Sequence, residues 1–134
     1  MSALIKEFKS EHSKIIKALS EVAEFGVLTK EGQAKLMSAK AILIEHLKKE
    51  DEKFYPVLLR EAEQNKKLKE GLDVFEKDFE SVSRAVLGFF DGFDKGVLGA
   101  KLLKDFETLL MVLRNRLWNE ENYLYVEYEE LNKL

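Results

Sequence analysis

His46-Leu47-Lys48-Lys49-Glu50-Asp51-Glu52-Lys53-Phe54-Tyr55-Pro56 sets a histidine and a glutamate one helical turn apart on a stripe of otherwise apolar residues. A later stretch, Arg116-Leu117-Trp118-Asn119-Glu120-Glu121-Asn122-Tyr123-Leu124-Tyr125-Val126, aligns with it without a gap. Upstream, Phe8-Lys9-Ser10-Glu11-His12 aligns in the same way with Phe75-Glu76-Lys77-Asp78-Phe79. The chain therefore reads as one pair of segments written twice. The glutamate is kept, as Glu50 and Glu120, but Arg116 stands opposite His46 and Phe79 opposite His12. The two histidines of the chain both lie in the first copy. The pattern is that of a metal site with one half intact and the other replaced.

Both copies sit in longer runs whose apolar residues recur at steps of three and four, the signature of an amphipathic helix. The first stripe is Ile5, Phe8, His12, Ile15, Leu19, Val22, and the second is Leu36, Ala39, Leu43, His46, Glu50, Phe54, Val57. The third is Leu72, Phe75, Phe79, Val82, Val86, Phe89, Phe93, and the fourth is Leu102, Phe106, Leu109, Leu113, Arg116, Glu120, Tyr123. The spacing predicts helices over 3–25, 30–63, 67–91 and 98–131. Gly26 is placed to end the first helix and Thr29 to N-cap the second. Gln64-Asn65 and Gly71 flank the next connection, and Asp91-Gly92, Gly96 and Gly99 mark the third turn. Pro56, the sole proline, lacks a backbone donor and should kink or unwind the second helix. Short connections between long helices imply antiparallel neighbours. The expected fold is all-α, an up-down-up-down antiparallel four-helix bundle formed by residues 1–134 as one domain.

Five stripe positions are not plainly apolar: His12, His46, Glu50, Arg116 and Glu120. At about 1.5 Å per residue, His12 and His46 each lie roughly 20–25 Å from the turn that joins their helices. Antiparallel packing of the third and fourth helices brings Arg116 and Glu120 to a similar height. Two imidazoles, two carboxylates and one guanidinium are thus expected to converge inside an apolar bundle. A lone inward histidine is commonly a core residue, but a buried carboxylate needs a cation. Arg116 supplies one, and a divalent metal is the natural second. Two plainer arrangements remain open. In one, Arg116 joins Glu50 and Glu120 in a metal-free polar network. In the other, the glutamates lie on bundle corners in water.

The composition excludes several classes. Cysteine is absent, which rules out disulfides, thiolate zinc sites and iron–sulfur clusters, so a metal would have to use imidazole and carboxylate. The net charge is −3 with no basic block, which argues against nucleic acid. Residues 1–12 alternate apolar with charged side chains and form no signal-peptide core. No run approaches the ~18 apolar residues of a membrane span. The chain reads as cytoplasmic.

His12, then His46-x-x-x-Glu50 ending in Phe54-Tyr55-Pro56, resembles the hemerythrin-like (HHE) cation-binding family, and the resemblance covers essentially the whole chain. It implies a four-helix bundle with two irons held between two pseudo-repeated helix pairs. It matches His12 and His46 to the ligands of the first iron, and Glu50 and Glu120 to carboxylates that bridge the metals. Phe79 and Arg116 then stand where histidines of the second iron should be. Ser83, one turn beyond Phe79, occupies an alternative histidine position and does not restore the site. The substitution has a physical logic. A guanidinium near both glutamates replaces the charge of a lost dication, and a phenyl ring fills the space of a lost ligand.

These readings lead to a degenerate hemerythrin-like domain with a sensing, storage or regulatory role. It would hold at most one divalent transition metal through His12, His46, Glu50 and Glu120. Iron follows from the resemblance, and manganese or zinc would suit the same donors. The alternative is a metal-free bundle acting as an interaction module, with the Glu-rich end Glu127 to Leu134, together with Tyr125 and Tyr128, as its surface. No general base or substrate pocket stands out beyond the ligands, so an enzyme is the less favoured class. His46-Leu47-Lys48-Lys49 faintly matches a phosphotransfer His-x-Leu-Lys-Gly motif. The register is off by one, however, and the histidine points inward.

Overall fold

The computed structural model describes residues 2–132, and among these it contains helices and no strands. Helix α1 spans Ala3–Phe25 and α2 Lys30–Lys53. Helix α3 is Tyr55–Ala62, α4 Lys66–Asp94 and α5 Gly99–Asn119. One turn of π-helix, Glu120–Leu124, leads directly into α6, Tyr125–Asn132. The four rods of the bundle are α1, α2 with α3, α4, and α5 with α6. No helix among the described residues is long and apolar enough to cross a membrane.

The ends follow local chemistry. Ser2 Oγ accepts from Ile5 N–H at the start of α1, and Glu129 accepts from both Ser2 N–H and Ser2 O–H at 2.8 and 2.9 Å, tying the first helix to α6. Gly26, at φ +92°, closes α1 with its N–H on Val22 O at 2.8 Å. Thr29 Oγ1 then accepts from Gly32 N–H at 2.9 Å and N-caps α2. Gly32 itself is required by packing, since a Cβ there would stand 1.7 Å from the Gly26 carbonyl oxygen. Asn65 caps α4 in the same manner as Thr29 caps α2.

Two interruptions change the register that strict periodicity predicts. The second rod breaks at Phe54, whose N–H still bonds Glu50 O at 3.0 Å, and Pro56 begins the new helix where a missing N–H does no harm. Phe54 and Leu58 are buried while Val57 is 37 % exposed. In the fourth rod the π-turn adds one residue, so that Tyr125 N–H bonds Glu120 O. The stripe therefore passes from Glu120 to Leu124 and Tyr125, and Tyr123 is 53 % exposed rather than inward. Tyr125, expected near the surface, is 1 % exposed.

The apolar core falls into two clusters. One packs Ile15, Leu19, Leu43, Val86, Phe106 and Leu113 with their neighbours. The other packs Ile5, Phe8, Phe54, Leu58, Leu72 and Leu124. Along every rod of the first pair, and along α5 into α6, the switch between clusters occurs at a polar residue. His12 follows Phe8 and precedes Ile15, His46 and Glu50 lie between Leu43 and Phe54, and Arg116 and Glu120 lie between Leu113 and Leu124.

The extra residue of the π-turn is removable in principle. Asn122 is exposed, and deleting it would place Tyr125 four residues after Glu120, where an ordinary α-helical bond serves the same carbonyl. The deletion variant should keep its helical circular dichroism and unfold in urea within about 0.5 kcal/mol of the parent. A loss several times larger would show that the π-turn stabilises the fold in its own right.

Candidate metal centre

Among the described residues, the buried polar and charged side chains are His12, His46, Glu50, Arg116 and Glu120, none more than 4 % exposed. They form one layer between the two apolar clusters. Helix α1 contributes His12, α2 contributes His46 and Glu50 one turn apart, α5 contributes Arg116, and Glu120 opens the π-turn. The structure thus brings together all five polar stripe residues.

His12, His46, Glu50 and Glu120 each present one donor atom, and the four atoms lie within 4.8 Å of one another. His12 Nε2 and His46 Nε2 are 3.0 Å apart. His46 Nε2 is 2.7 Å from Glu50 Oε1, and His12 Nε2 is 3.3 Å from Glu120 Oε1. Despite those short separations, Glu50 Oε1 and Glu120 Oε1 are buried and accept no hydrogen bond. Their nitrogen neighbours are close but do not aim protons at them. Buried acceptors normally find donors. Two that converge on the same small volume as two imidazole nitrogens form a donor set that fits a metal ion. Neighbouring ligands on bonds of about 2.1 Å at right angles sit roughly 3.0 Å apart.

Side chains outside the set orient it. Glu11 Oε1 lies 2.7 Å from His46 Nδ1, and Lys49 Nζ holds the other Glu11 oxygen at 2.7 Å. Burial raises the Glu11 pKa, but hydrogen bonds with Lys49 and His46 outweigh it and leave the carboxyl below its ordinary value. An ionised Glu11 can only accept, so His46 Nδ1 carries the proton and Nε2 turns its lone pair to the centre. Burial lowers the His46 pKa even though Glu11 opposes it, which favours the uncharged imidazole a metal requires. On the other imidazole, Nδ1 is buried without a hydrogen bond, and Glu121 Oε2 is 3.8 Å away.

The two carboxyl groups divide their charge unequally. Burial, then the charge of Glu120, push the Glu50 pKa well up. Burial also works against ionising Glu120, but His12, Glu50 and the Arg116 charge overcome it and hold Glu120 at about 2. The pair therefore carries one proton, on Glu50, and one negative charge, on Glu120. Tyr55 Oη donates to Glu120 Oε2 at 2.5 Å, and Tyr125 Oη donates to Glu50 Oε2 at 3.3 Å. Burial and the nearby carboxylates raise both phenols above their usual value, so both remain donors.

Arg116 occupies the opposite side of the layer. Its Nε lies 3.5 Å from Glu120 Oε2, its Nη1 donates to Ser83 Oγ at 3.3 Å, and its guanidinium stacks over the Phe79 ring at 5.3 Å. Arg116 forms its ion pair with Glu120 rather than bonding both glutamates. Phe79 is half-buried, against Tyr55 at 5.1 Å. Of the three positions at which the resemblance expects histidines of a second metal, Arg116 thus contacts both of the others, Phe79 and Ser83.

Sequence reasoning passed over Glu11, Tyr55 and Tyr125. Glu11 bonds His46 Nδ1 at 2.7 Å, while Glu121 faces His12 Nδ1 at 3.8 Å without a hydrogen bond. Tyr55 follows the helix break, and Tyr125 follows the π-turn, so neither lay on an unbroken stripe. Two surface clefts reach the layer. One of about 500 Å³ between α1 and α5 runs to His12 past Lys17, Arg114 and Trp118, and one of about 480 Å³ between α4 and α5 runs to Arg116 past Phe79 and Asn115.

The family model of the hemerythrin HHE cation binding domain matches residues 3–128. No curated protein and no solved structure matches the chain. With nearly the whole length matched, with a helical bundle observed, and with a buried His/Glu group able to hold an ion, the chain belongs to the hemerythrin HHE cation-binding family.

Proposed function

We propose that the domain holds a single transition-metal ion through His12, His46 and Glu50, with Glu120 as the fourth donor, and that Arg116 stands in place of a second ion. The observation that carries this reading is the pair of buried, unbonded carboxylate oxygens facing two imidazole nitrogens, beside a guanidinium and not beside further histidines. Iron is the ion favoured by family membership, and manganese or zinc would suit the same donors. A bound ion would take the lone pair of His46 Nε2 and that of His12 Nε2, with the His12 proton moved to Nδ1 toward Glu121. A sensing, storage or regulatory role is the reading retained for the site, with clefts between α1 and α5 and between α4 and α5 leading to it.

Elemental analysis after loading and desalting tests the stoichiometry. One equivalent is expected, and His12→Ala or His46→Ala should abolish retention. Two equivalents per wild-type chain would overturn the single-ion reading.

Metal binding should strengthen with pH. Glu50 has a raised pKa and holds a proton that coordination must expel, whereas His46 is already biased to its uncharged form. Affinity for zinc, measured by competition with a chromophoric chelator, should rise by about tenfold per pH unit while one proton is released. A flat profile through the acid range would contradict a proton-bearing Glu50 as ligand.

Arg116 can be tested with and without metal. Arg116→Met keeps the bulk but leaves Glu120 without its ion pair, a change of about 3–5 kcal/mol for a buried pair. The depressed Glu120 pKa contributes stability that is present above its unfolded value of 4.5 and lost as pH falls toward about 2. The penalty in urea unfolding of the metal-free protein should therefore be largest above pH 4.5. Phe79→His combined with Arg116→His should raise iron uptake toward two per chain. A neutral Arg116→Met, together with unchanged uptake in the double variant, would remove Arg116 from this role.

A further inference from the structure

Among the described residues, Tyr125 is the one buried residue at the centre whose polar atom faces a proposed ligand nitrogen from outside the four-residue set. Its Oη is 2.9 Å from His12 Nε2 and 3.3 Å from Glu50 Oε2. Three separations among the four donors, at 2.7, 3.0 and 3.3 Å, span the same range, and all four donor atoms lie within 4.8 Å of one another. The same range is also that of adjacent positions around one ion with bonds of about 2.1 Å. Tyr55, by contrast, touches Glu120 through Oε2, the carboxylate oxygen turned away from His12, and contacts neither imidazole nitrogen. One phenol thus points into the donor set and the other buttresses it from behind.

Independent features hold Tyr125 there. The π-turn inserts a residue between Glu120 and Tyr125, which sends both side chains to the centre. Single π-turns inside α-helices recur at functional sites. The ring is 1 % exposed and packed on three sides: against His12 at 5.4 Å, against Phe54 at 5.1 Å and against Phe8 at 5.9 Å. The hydroxyl has little freedom to turn elsewhere.

We propose that Tyr125 Oη is a fifth ligand of this site, giving a two-imidazole, two-carboxylate, one-phenolate set suited to ferric iron. The inference rests on the single-ion reading above and adds to it both a ligand and an oxidation state. A phenolate is a hard, anionic oxygen donor, and a third anion in the shell favours a trivalent ion over a divalent one. On coordination the phenol O–H bond breaks, the oxygen takes the ion, and the proton leaves to solvent. No electron is transferred in that step when iron enters as iron(III).

The test loads the full chain with iron(III) supplied as ferric citrate, removes excess, and records visible absorption and resonance Raman spectra beside the iron content. The expected result is one iron with a tyrosinate-to-iron charge-transfer band and enhanced tyrosinate ring modes. Tyr125→Phe should retain iron but lose both signals, and Tyr55→Phe should keep them. One bound iron without the band, or a band that survives in Tyr125→Phe, overturns the phenolate ligand and leaves the single-ion reading standing. Failure to retain iron(III) while zinc or manganese is retained does the same. Failure to retain any of these metals overturns both. If Tyr125→Phe does not fold, the decision falls to the other two proteins. A band present in wild type and in Tyr55→Phe supports the ligand, and a band lost in Tyr55→Phe overturns it.

Discussion

Glu50 and Glu120 have no exposed surface, and holding two carboxyl groups in an apolar core is the constraint around which the rest of the layer is arranged. The carboxyl groups stand near enough to influence each other strongly, so the pair keeps one proton and one charge. The remaining charge is met by a guanidinium at 3.5 Å and a phenol at 2.5 Å. Those partners need their own supports, and Phe79 and Ser83 provide them for Arg116. The histidines complete the same accounting. Their Nε2 atoms meet at the centre, and the outer nitrogen of His46 is fixed by Glu11, itself anchored by Lys49.

This polar layer explains why the core is divided. Side chains from α1, α2, α5 and the π-turn all switch from one apolar cluster to the other at that level. The two irregular points of the bundle lie just beyond it, at Phe54 and at Glu120–Leu124. Both fall within the aligned segments of the internal repeat, and each turns the following aromatic residue, Tyr55 or Tyr125, so that its hydroxyl returns to a carboxylate. The repeat is therefore preserved in its device, a helix irregularity that recruits a phenol, even where its histidines are replaced.

How legible this was depended on periodicity. Every polar residue of the layer lay on an unbroken run of three- and four-residue steps, and the copy-to-copy alignment marked Phe79 and Arg116 as replacements. The all-helical bundle and its capping residues at Gly26 and Thr29 could be read from the same pattern, whereas Asn65, read only as part of a connection, caps α4. What failed was register after an irregularity. Pro56 announced the first break, but the break falls two residues before it, at Phe54, and this shift in register exposes Val57 and buries Leu58. Nothing in Glu120-Glu121-Asn122-Tyr123-Leu124 announces a π-turn, since its benefit is the burial of Tyr125 beside His12, a contact between residues at opposite ends of the chain. Glu11 was missed for a similar reason. Its partner is across the helix pair on His46, while its own stripe position faces outward.

The exchange of a histidine for Arg116 has a consequence for how metal and folding relate. An ion bound between carboxylates contributes folding energy only when it is present, and sites that depend on it unfold without it. A guanidinium tethered to α5 is present in every copy of the chain, at a fixed distance from Glu120. With the second proposed charge supplied covalently, the bundle can form with Glu50 protonated and Glu120 ion-paired before any metal arrives. On the proposed reading, the half with His12 and His46 would then exchange its proton for a cation without placing the fold at stake. On the proposed single-ion reading, one half of the repeat would serve structure and the other would bind, and the choice would turn on which carries arginine and which carries histidine.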